Sequence, residues 1–352
     1  MLTGTHAAVP FLTVVMPVRN EARFIRDTLG QLLAQDYPAD RYEIIVADGM
    51  SDDGTRAIVG ELARSCPQIR LMDNPGRRSS AGRNIGFKNG RGDIFLVVDG
   101  HCHIPDADLF TSVRECFEKS GADCLGRPQP LNPPGLAPFQ QAVALARGSR
   151  IGHGGDSLIY GEYEGFASPV SNGAAYRRAI LPRVGLVDEN FDACEDLEFN
   201  YRVEKAGLKT YTSPKLTVRY YPREDLKGLL RQMVRYGRGR WRFIRKHPEA
   251  VTLNQLVPAA FVAGLLLLLA AGGTMGFSGG GRHAVTPVLG TLYGIYLLII
   301  MVESLRIAAR NGWRYFAYLP PIFFAVHFGL GWGFLRQAVS RERDEVKHSL
   351  GT

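Results

Sequence analysis

From Leu256 to Phe277 the chain carries no charged residue, and an α-helix of about 20 apolar residues is enough to cross the hydrocarbon core of a bilayer. A second apolar run, Val285 to Ser304, has its only charge, Glu303, near its end. A third, Tyr315 to Leu335, is interrupted by Pro320, Pro321 and His327. Whatever the rest of the chain folds into, this last third needs an apolar surrounding. Arg306, Arg310 and Arg314 stand between the second and third runs, which assigns that connection to the cytoplasm and a short loop at 278 to 284 to the outside. The polar segment ahead of the first run is then cytoplasmic. In the tail, 336 to 352, Arg336, Arg341, Arg343 and Lys347 mix with Glu342, Asp344 and Glu345. Two arrangements stay open: three full spans with the tail outside, or a third element that only dips into the bilayer.

With 352 residues in all, the first two-thirds have room for one α/β domain. Cys66, Cys102, Cys116, Cys124 and Cys194 are odd in number, widely spaced and without a CxxC pair. That excludes a disulfide framework and points to plain thiols in a reducing compartment. The apolar run Val9 to Val18 contains Pro10 and Pro17, has no basic segment before it and leads straight into Arg19-Asn20-Glu21. It reads as a buried strand, not a signal peptide. Lys plus Arg number 42 against 34 Asp plus Glu, a net charge of +8. Much of the excess gathers between Arg223 and Lys246, just ahead of the first apolar run, where anionic membrane lipids are a better match than nucleic acid. Leu229, Leu230, Met233, Trp241 and Phe243 give the same segment an apolar side. It is expected to form a basic amphipathic region over 223 to 255, lying in the membrane interface or, alternatively, packed as a solvated helix on the domain.

Residues 12 to 18, 43 to 47 and 94 to 98 are short β-rich apolar runs, each followed by polar residues and then by helical periodicity. This is the pattern of a mainly parallel sheet with crossover helices. Leu29, Leu32 and Leu33 give one face of a first helix that Pro38 stops, and Ile58, Leu62 and Ala63 one face of a second. Residues 126 to 175 are rich in Gly and Pro and are expected as loops and short elements, including the turn-rich run Gly152 to Gly155. A further ordered segment begins at Ala174, a helix runs from Glu195 to Ala206, and a last strand lies near Leu216 to Tyr220. The cytosolic domain is expected to span 1 to 222.

In such a sheet ligands collect beyond the carboxyl ends of the strands, which directs attention to Arg19 to Glu21, Asp48 to Thr55 and Asp99 to His103. Asp99-Gly100-His101 sets a carboxylate and an imidazole two residues apart, a pair able to hold a divalent cation that neutralises a diphosphate. Imidazole in the set suits Mn²⁺ better than oxygen ligands alone would; a plain surface turn is the other reading. Asp48 can accept from a base N–H or a ribose hydroxyl, and Asp53 can do the same or cap a helix. Arg83 follows Ser79-Ser80-Ala81-Gly82 at a helix start, where a phosphate is well placed. Glu195-Asp196 is the candidate general base for an acceptor hydroxyl, or a helix-dipole partner.

Taken in order, these motifs resemble the family 2 inverting glycosyltransferases of the GT-A fold over about residues 11 to 245. Pro17-Val18-Arg19-Asn20-Glu21 resembles the family's opening motif, and Asp48-Gly49 with Ser51 to Thr55 its nucleotide-contacting stretch. Ala81 to Gly86 with Gly92-Asp93 resembles the turn before the metal strand, and Asp99-Gly100-His101 its Asp-x-Asp site, with His for the second acid. Gly185 to Glu189 and Glu195-Asp196 resemble the acceptor-side motif, and Gln232-Met233-Val234-Arg235-Tyr236 the Gln-x-x-Arg-Trp motif with Tyr for Trp. The resemblance implies a UDP-sugar donor with Mn²⁺ or Mg²⁺. Pro17, Arg19, Glu21, Asp48, Asp53 and Arg83 would serve the nucleotide, and Asp99, Gly100 and His101 the cation and diphosphate. Gln232, Arg235, Tyr236 and Trp241 would close over the diphosphate or acceptor sugar, with Asp196, flanked by Glu195, as base.

Within the family the chain resembles a membrane-anchored subgroup of succinoglycan biosynthesis. That implies hexose transfer to a polyprenyl-diphosphate-linked saccharide, at the bacterial inner membrane, in exopolysaccharide synthesis. Processive synthesis, with a homo-oligomer supplying a channel, transfer to a polyprenyl phosphate, and carbohydrate binding without turnover are the alternatives.

Overall fold

The computed structural model describes residues 9–153, 158–170, 172–273 and 282–340. The expected outer loop at 278 to 284 falls outside these up to residue 281, as do most of the polar tail and residues 154 and 155 of the turn-rich run. Two compact units divide at Arg223 and Glu224.

The strands are β1 Leu12–Val18, β2 Tyr42–Asp48, β3 Ile69–Asp73, β4 Ile94–Val97, β5 Cys102–His103, β6 Cys124–Gly126, β7 Gly165–Phe166, β8 Gly173–Arg177, β9 Thr210–Thr212 and β10 Arg219–Tyr220. The helices are α1 Ile25–Leu33, α2 Thr55–Ser65, α3 Ser79–Asn89, α4 Leu109–Ser120, α5 Pro138–Arg147, α6 Arg150–His153, α7 Leu181–Val184, α8 Glu195–Lys205, α9 Leu226–Lys246, α10 Leu253–Gly273, α11 Arg282–Asn311 and α12 Leu319–Val339.

In the first unit eight strands form one mixed sheet in the order β3-β2-β1-β4-β8-β6-β9-β7, and β5 and β10 form a separate antiparallel ribbon. β1 pairs in parallel with β2 and β4, and β2 with β3. Every residue of β1 and β2 is buried, as expected for parallel strands covered on both faces. Successive side chains alternate between two cores. Val14, Met16 and Leu96 join Leu29 and Leu32 of α1 on one face. Val15, Phe95 and Val97 meet Phe87 of α3 and Phe199 of α8 on the other. Each fully buried Leu, Val or Phe contributes about 1.5–3 kcal/mol, so this double-sided packing fixes the strand register and the positions of the strand ends.

Four expectations need correction. Residues 126 to 175 include a full helix, α5, which starts at Pro138 and buries Ala142, Val143 and Ala146 on one face; the surrounding Gly and Pro masked that periodicity. α1 ends at Leu33, ahead of Pro38. The last strand shrinks to Arg219–Tyr220 because Pro214 starts a 3-10 turn through Leu216. α11 runs on to Asn311, so Arg306 and Arg310 lie on its last turns and not in a loop.

In the second unit, three helices are long and apolar enough to cross a membrane, over Leu253–Ala270, Pro287–Asn311 and Leu319–Val339. Pro320 and Pro321 do not interrupt the third. They sit in its first turn, where a missing N–H costs nothing. α12 packs along α9: Leu229, Met233 and Phe243 are buried, Trp241 stands edge-on to Phe334 at 5.2 Å, and Arg238 Nε donates to Gln337 Oε1 at 2.9 Å. The apolar side of the amphipathic segment is thus met by a partner helix.

Candidate active site

The carboxyl ends of β1, β2 and β4 lie along one rim, because the three strands are parallel neighbours. Two loops on this rim are laced together. Asn20 Nδ2 donates to Asp52 Oδ1 at 2.9 Å, Asp52 N returns a bond to Asn20 Oδ1 at 3.1 Å, and Glu21 N donates to Thr55 Oγ1 at 2.7 Å. Asn20 and Met50 take left-handed backbone angles, φ 57° and 58°, conformations that persist only where the surroundings fix them. Asp53 works within this lacing. One carboxylate oxygen accepts from Thr55 N and Oγ1, and the other from Ala22 N. Burial opposes ionisation, but these bonds outweigh it and hold the carboxyl below its ordinary range. Pro17 lies inside β1, and Arg19 projects as an exposed side chain at the strand end.

Asp48 is fully buried. Its Oδ2 accepts from Ser51 N at 3.3 Å and Arg56 Nη1 at 3.4 Å, and its Oδ1 has no partner among the described residues. A buried acceptor left open at a strand end is ready for a donor from a ligand. After β4, Thr28 Oγ1 donates to the carbonyls of Gly100 and Cys102 at 3.0 and 2.9 Å, fixing the turn. A Cβ at Gly100 would stand 3.0 Å from Glu21 Cγ, so the glycine gives Glu21 its path. Glu21 Oε1 meets His101 Nδ1 at 2.8 Å. Burial disfavours charge on this ring, while the hydrogen bond and the charges of Glu21 and Asp99 outweigh it and raise the His101 pKa. Glu21, expected at the nucleotide, is therefore bound to His101.

On the other face of the sheet, α3 anchors the loop ahead of α8. Asn84 Nδ2 donates to Val187 O and Glu189 Oε1, both at 2.8 Å, and Ser80 Oγ donates to Phe191 O at 2.9 Å. Cys194, at φ 61°, turns the chain into α8. Glu195 then points inward to Arg83, 3.5 Å away, while Asp196 is exposed. Arg83, expected to face a phosphate, forms this buried ion pair. Burial would lower its pKa, but the charges of Glu195, Asp196 and Asp99 together raise it. Burial pushes Glu195 upward, with Asp196 adding to the effect and Arg83 opposing it.

Of the α9 motif, Gln232 Nε2 donates to Tyr236 Oη at 3.2 Å across one helical turn, Arg235 is exposed, and Trp241 packs on Phe334. Sequence reasoning missed Tyr220 and Arg127, which meet at 2.7 Å; the signal for Arg127 is an arginine directly after the apolar run Cys124 to Gly126.

A family model described as "Glycosyltransferase like family 2" matches residues 10–239, covering the whole rim. The chain belongs to this glycosyltransferase family. Its mixed α/β sheet domain matches the GT-A fold expected from the motifs. The glycosyltransferase is 34% identical over 249 residues to the succinoglycan biosynthesis protein ExoA of Rhizobium meliloti, covering 70% of this chain and 74% of that one. It is also 26% identical over 333 residues to a dolichyl N-acetyl-α-D-glucosaminyl phosphate 3-β-D-2,3-diacetamido-2,3-dideoxy-β-D-glucuronosyltransferase of Methanococcus voltae, covering 93% and 96%. In fold it is similar to the mannosyltransferase PcManGT of Pyrobaculum calidifontis, solved with GDP-Man and Mn²⁺, at a TM-score of 0.59 and 18% identity over 92% of this chain and 87% of that one.

Proposed function

We propose that this glycosyltransferase transfers a hexose or related sugar from a UDP-sugar to a polyprenyl-diphosphate-linked saccharide, with inversion, in exopolysaccharide assembly at the bacterial inner membrane. The observation that carries the reading is Asp48, fully buried at the carboxyl end of β2 with its Oδ1 open among the described residues. The lipid-linked substrate named for the Methanococcus voltae relative and the exopolysaccharide role named for ExoA support the acceptor class.

Asp48 Oδ1, buried and open, suits a base N–H, with Arg19 and Pro17 alongside. Asp196, exposed at the start of α8, takes the proton of the acceptor hydroxyl. The hydroxyl oxygen then bonds to the anomeric carbon, the bond from that carbon to the phosphate oxygen breaks on the opposite face, and UDP leaves. A divalent cation fits the residues present. With Nδ1 held by Glu21, His101 Nε2 is oriented as a ligand in the way metal-bound imidazoles usually are, and Asp99 supplies a carboxylate on the same turn. Asp99 and His101 would hold Mn²⁺ or Mg²⁺, whose charge favours departure of the diphosphate. The exposed arginines of α9 suit anionic headgroups, and the three apolar helices support a multi-pass arrangement.

The test is release of UDP by the detergent-purified protein with a panel of UDP-sugars, each cation and a polyprenyl-diphosphate-sugar acceptor, with the lipid product read by mass. A gain of one sugar supports the proposal. A ladder of additions favours processive synthesis, and no UDP release with any donor contradicts it.

A further inference from the structure

Arg127 is 2% exposed. Its Nη2 donates to Tyr220 Oη at 2.7 Å, whereas Nε and Nη1, shut off from solvent, have no acceptor among the described residues. The comparison within the same unit is Arg83, which is also buried but meets Glu195. A guanidinium stays charged in proteins, and a buried charge without a counter-ion is among the most costly arrangements a fold can keep. A replacement by an apolar side chain would remove that cost, so the arginine answers a need that the described residues do not meet.

Its position says what the need is. β4 and β6 are both antiparallel to β8, so they run the same way and their carboxyl ends share the rim that carries Asp48 and Asp99. Arg127 directly follows β6. Tyr220, its partner, pairs with Cys102 in the β5–β10 ribbon and stands edge-on to the His101 ring at 5.9 Å. Glu21, His101, Tyr220 and Arg127 thus form one contiguous row. Along the rim, Asp48 ends β2, Asp99 follows β4, and Arg127 lies two strands further on, about 10 Å at the usual strand spacing. A nucleotide-sugar with its base at Asp48 and its diphosphate at Asp99 extends its sugar toward β8 and β6.

We infer that Arg127 is a specificity residue that receives an oxyanion of the bound donor, namely the carboxylate of a hexuronic acid; the β-phosphate is the other source of the same chemistry. The inference rests on the nucleotide-sugar reading above and narrows its donor from sugars in general to acidic ones. Two unmatched nitrogens, Nε and Nη1, with three N–H bonds between them and a full positive charge are what a carboxylate or phosphate oxygen completes. A neutral hydroxymethyl group leaves the charge unanswered.

The test measures binding of UDP, UDP-glucose, UDP-glucuronate and UDP-galacturonate to the full-length protein in detergent, by calorimetry with Mn²⁺, for wild type, R127M and R127K. One UDP-hexuronate is expected to bind wild type more tightly than UDP-glucose by about ten- to a hundredfold, the worth of a charge-assisted hydrogen bond. R127M is expected to lose that margin while UDP and UDP-glucose are unchanged, with an equal or higher Tm in the absence of ligand. R127K keeps the charge but loses the planar fork, so a reduced margin at unchanged Tm carries the test should R127M fold poorly. Equal weakening of all four ligands supports the oxyanion role with the β-phosphate as its source. Binding of all four within about twofold of wild type by folded R127M and R127K overturns the proposal. Failure of wild type to bind UDP overturns the donor reading and this proposal with it.

Discussion

Glu195 and Asp196 are neighbours with opposite surroundings: one is buried against Arg83 and the other is exposed at the start of α8. The left-handed turn at Cys194 sends the first inward and leaves the second exposed. Replacing Glu195 by Gln removes the counter-ion of Arg83 and leaves that cation buried, at a cost of about 3–5 kcal/mol, so a large fall in Tm is expected for E195Q. The substitution is therefore expected to read out as stability, and an unchanged Tm would show that the pair contributes little. At His101, replacement by Gln is expected to weaken Mn²⁺-dependent nucleotide binding while leaving binding without metal near wild type; equal loss in both conditions would assign the ring to Glu21 alone. Asp48, Asp99 and Asp196 were legible in the sequence because each stands in a short motif at the end of an element. The pairing of Arg83 with Glu195 and of Glu21 with His101, and the two open nitrogens of Arg127, were not, since each depends on what distant segments bring.

At the level of elements, Glu43 shows how the sheet holds its register. Its carboxylate, fully buried on β2, accepts from Thr13 Oγ1 of β1 at 2.9 Å, from Arg70 Nη1 of β3 at 2.7 Å and from Arg91 Nε at 3.2 Å just before β4. Burial alone would raise its pKa, but the bonds from Arg91, Arg70 and Thr13 outweigh it and lower the value from the ordinary 4.5. With the folded value below the unfolded one, this contribution is complete above about pH 4.5 and is lost as the pH falls through the lowered folded value. E43Q is expected to destabilise by about 1.5–3 kcal/mol at pH 7 and to show a smaller loss of Tm on acidification than wild type; parallel pH profiles would contradict this. The parallel strands were readable as continuous apolar runs, but β3, with only Ile69 fully buried, lacked that signature. α5 was hidden by its flanking turns. The α9–α12 contact was also beyond the sequence, because it depends on glycines. A Cβ at Gly237 would run into Leu330 O, and one at Gly333 into Val234 O, so the backbones touch directly. G237L is expected to lower the Tm of the detergent-solubilised protein through overpacking of about 1–3 kcal/mol or more, and an unchanged Tm would mean the helices can part freely.

For the whole molecule, the division at Arg223 and Glu224 separates a unit with a two-sided core from one built of long apolar helices and α9. A fragment of residues 9–223 is expected to unfold cooperatively and to stay soluble without detergent, as circular dichroism during heating would show; aggregation on purification would mean that the first unit needs the second. The central claim is that an exposed carboxylate at the start of α8 deprotonates the acceptor on a donor-binding rim. Its most direct test compares wild type with D196N, measuring UDP-sugar affinity and single-turnover transfer on the same preparations. Donor affinity is expected to stay near wild type while transfer falls about 10²–10⁴-fold. Wild-type transfer by D196N at saturating donor and acceptor would contradict the assignment of the base.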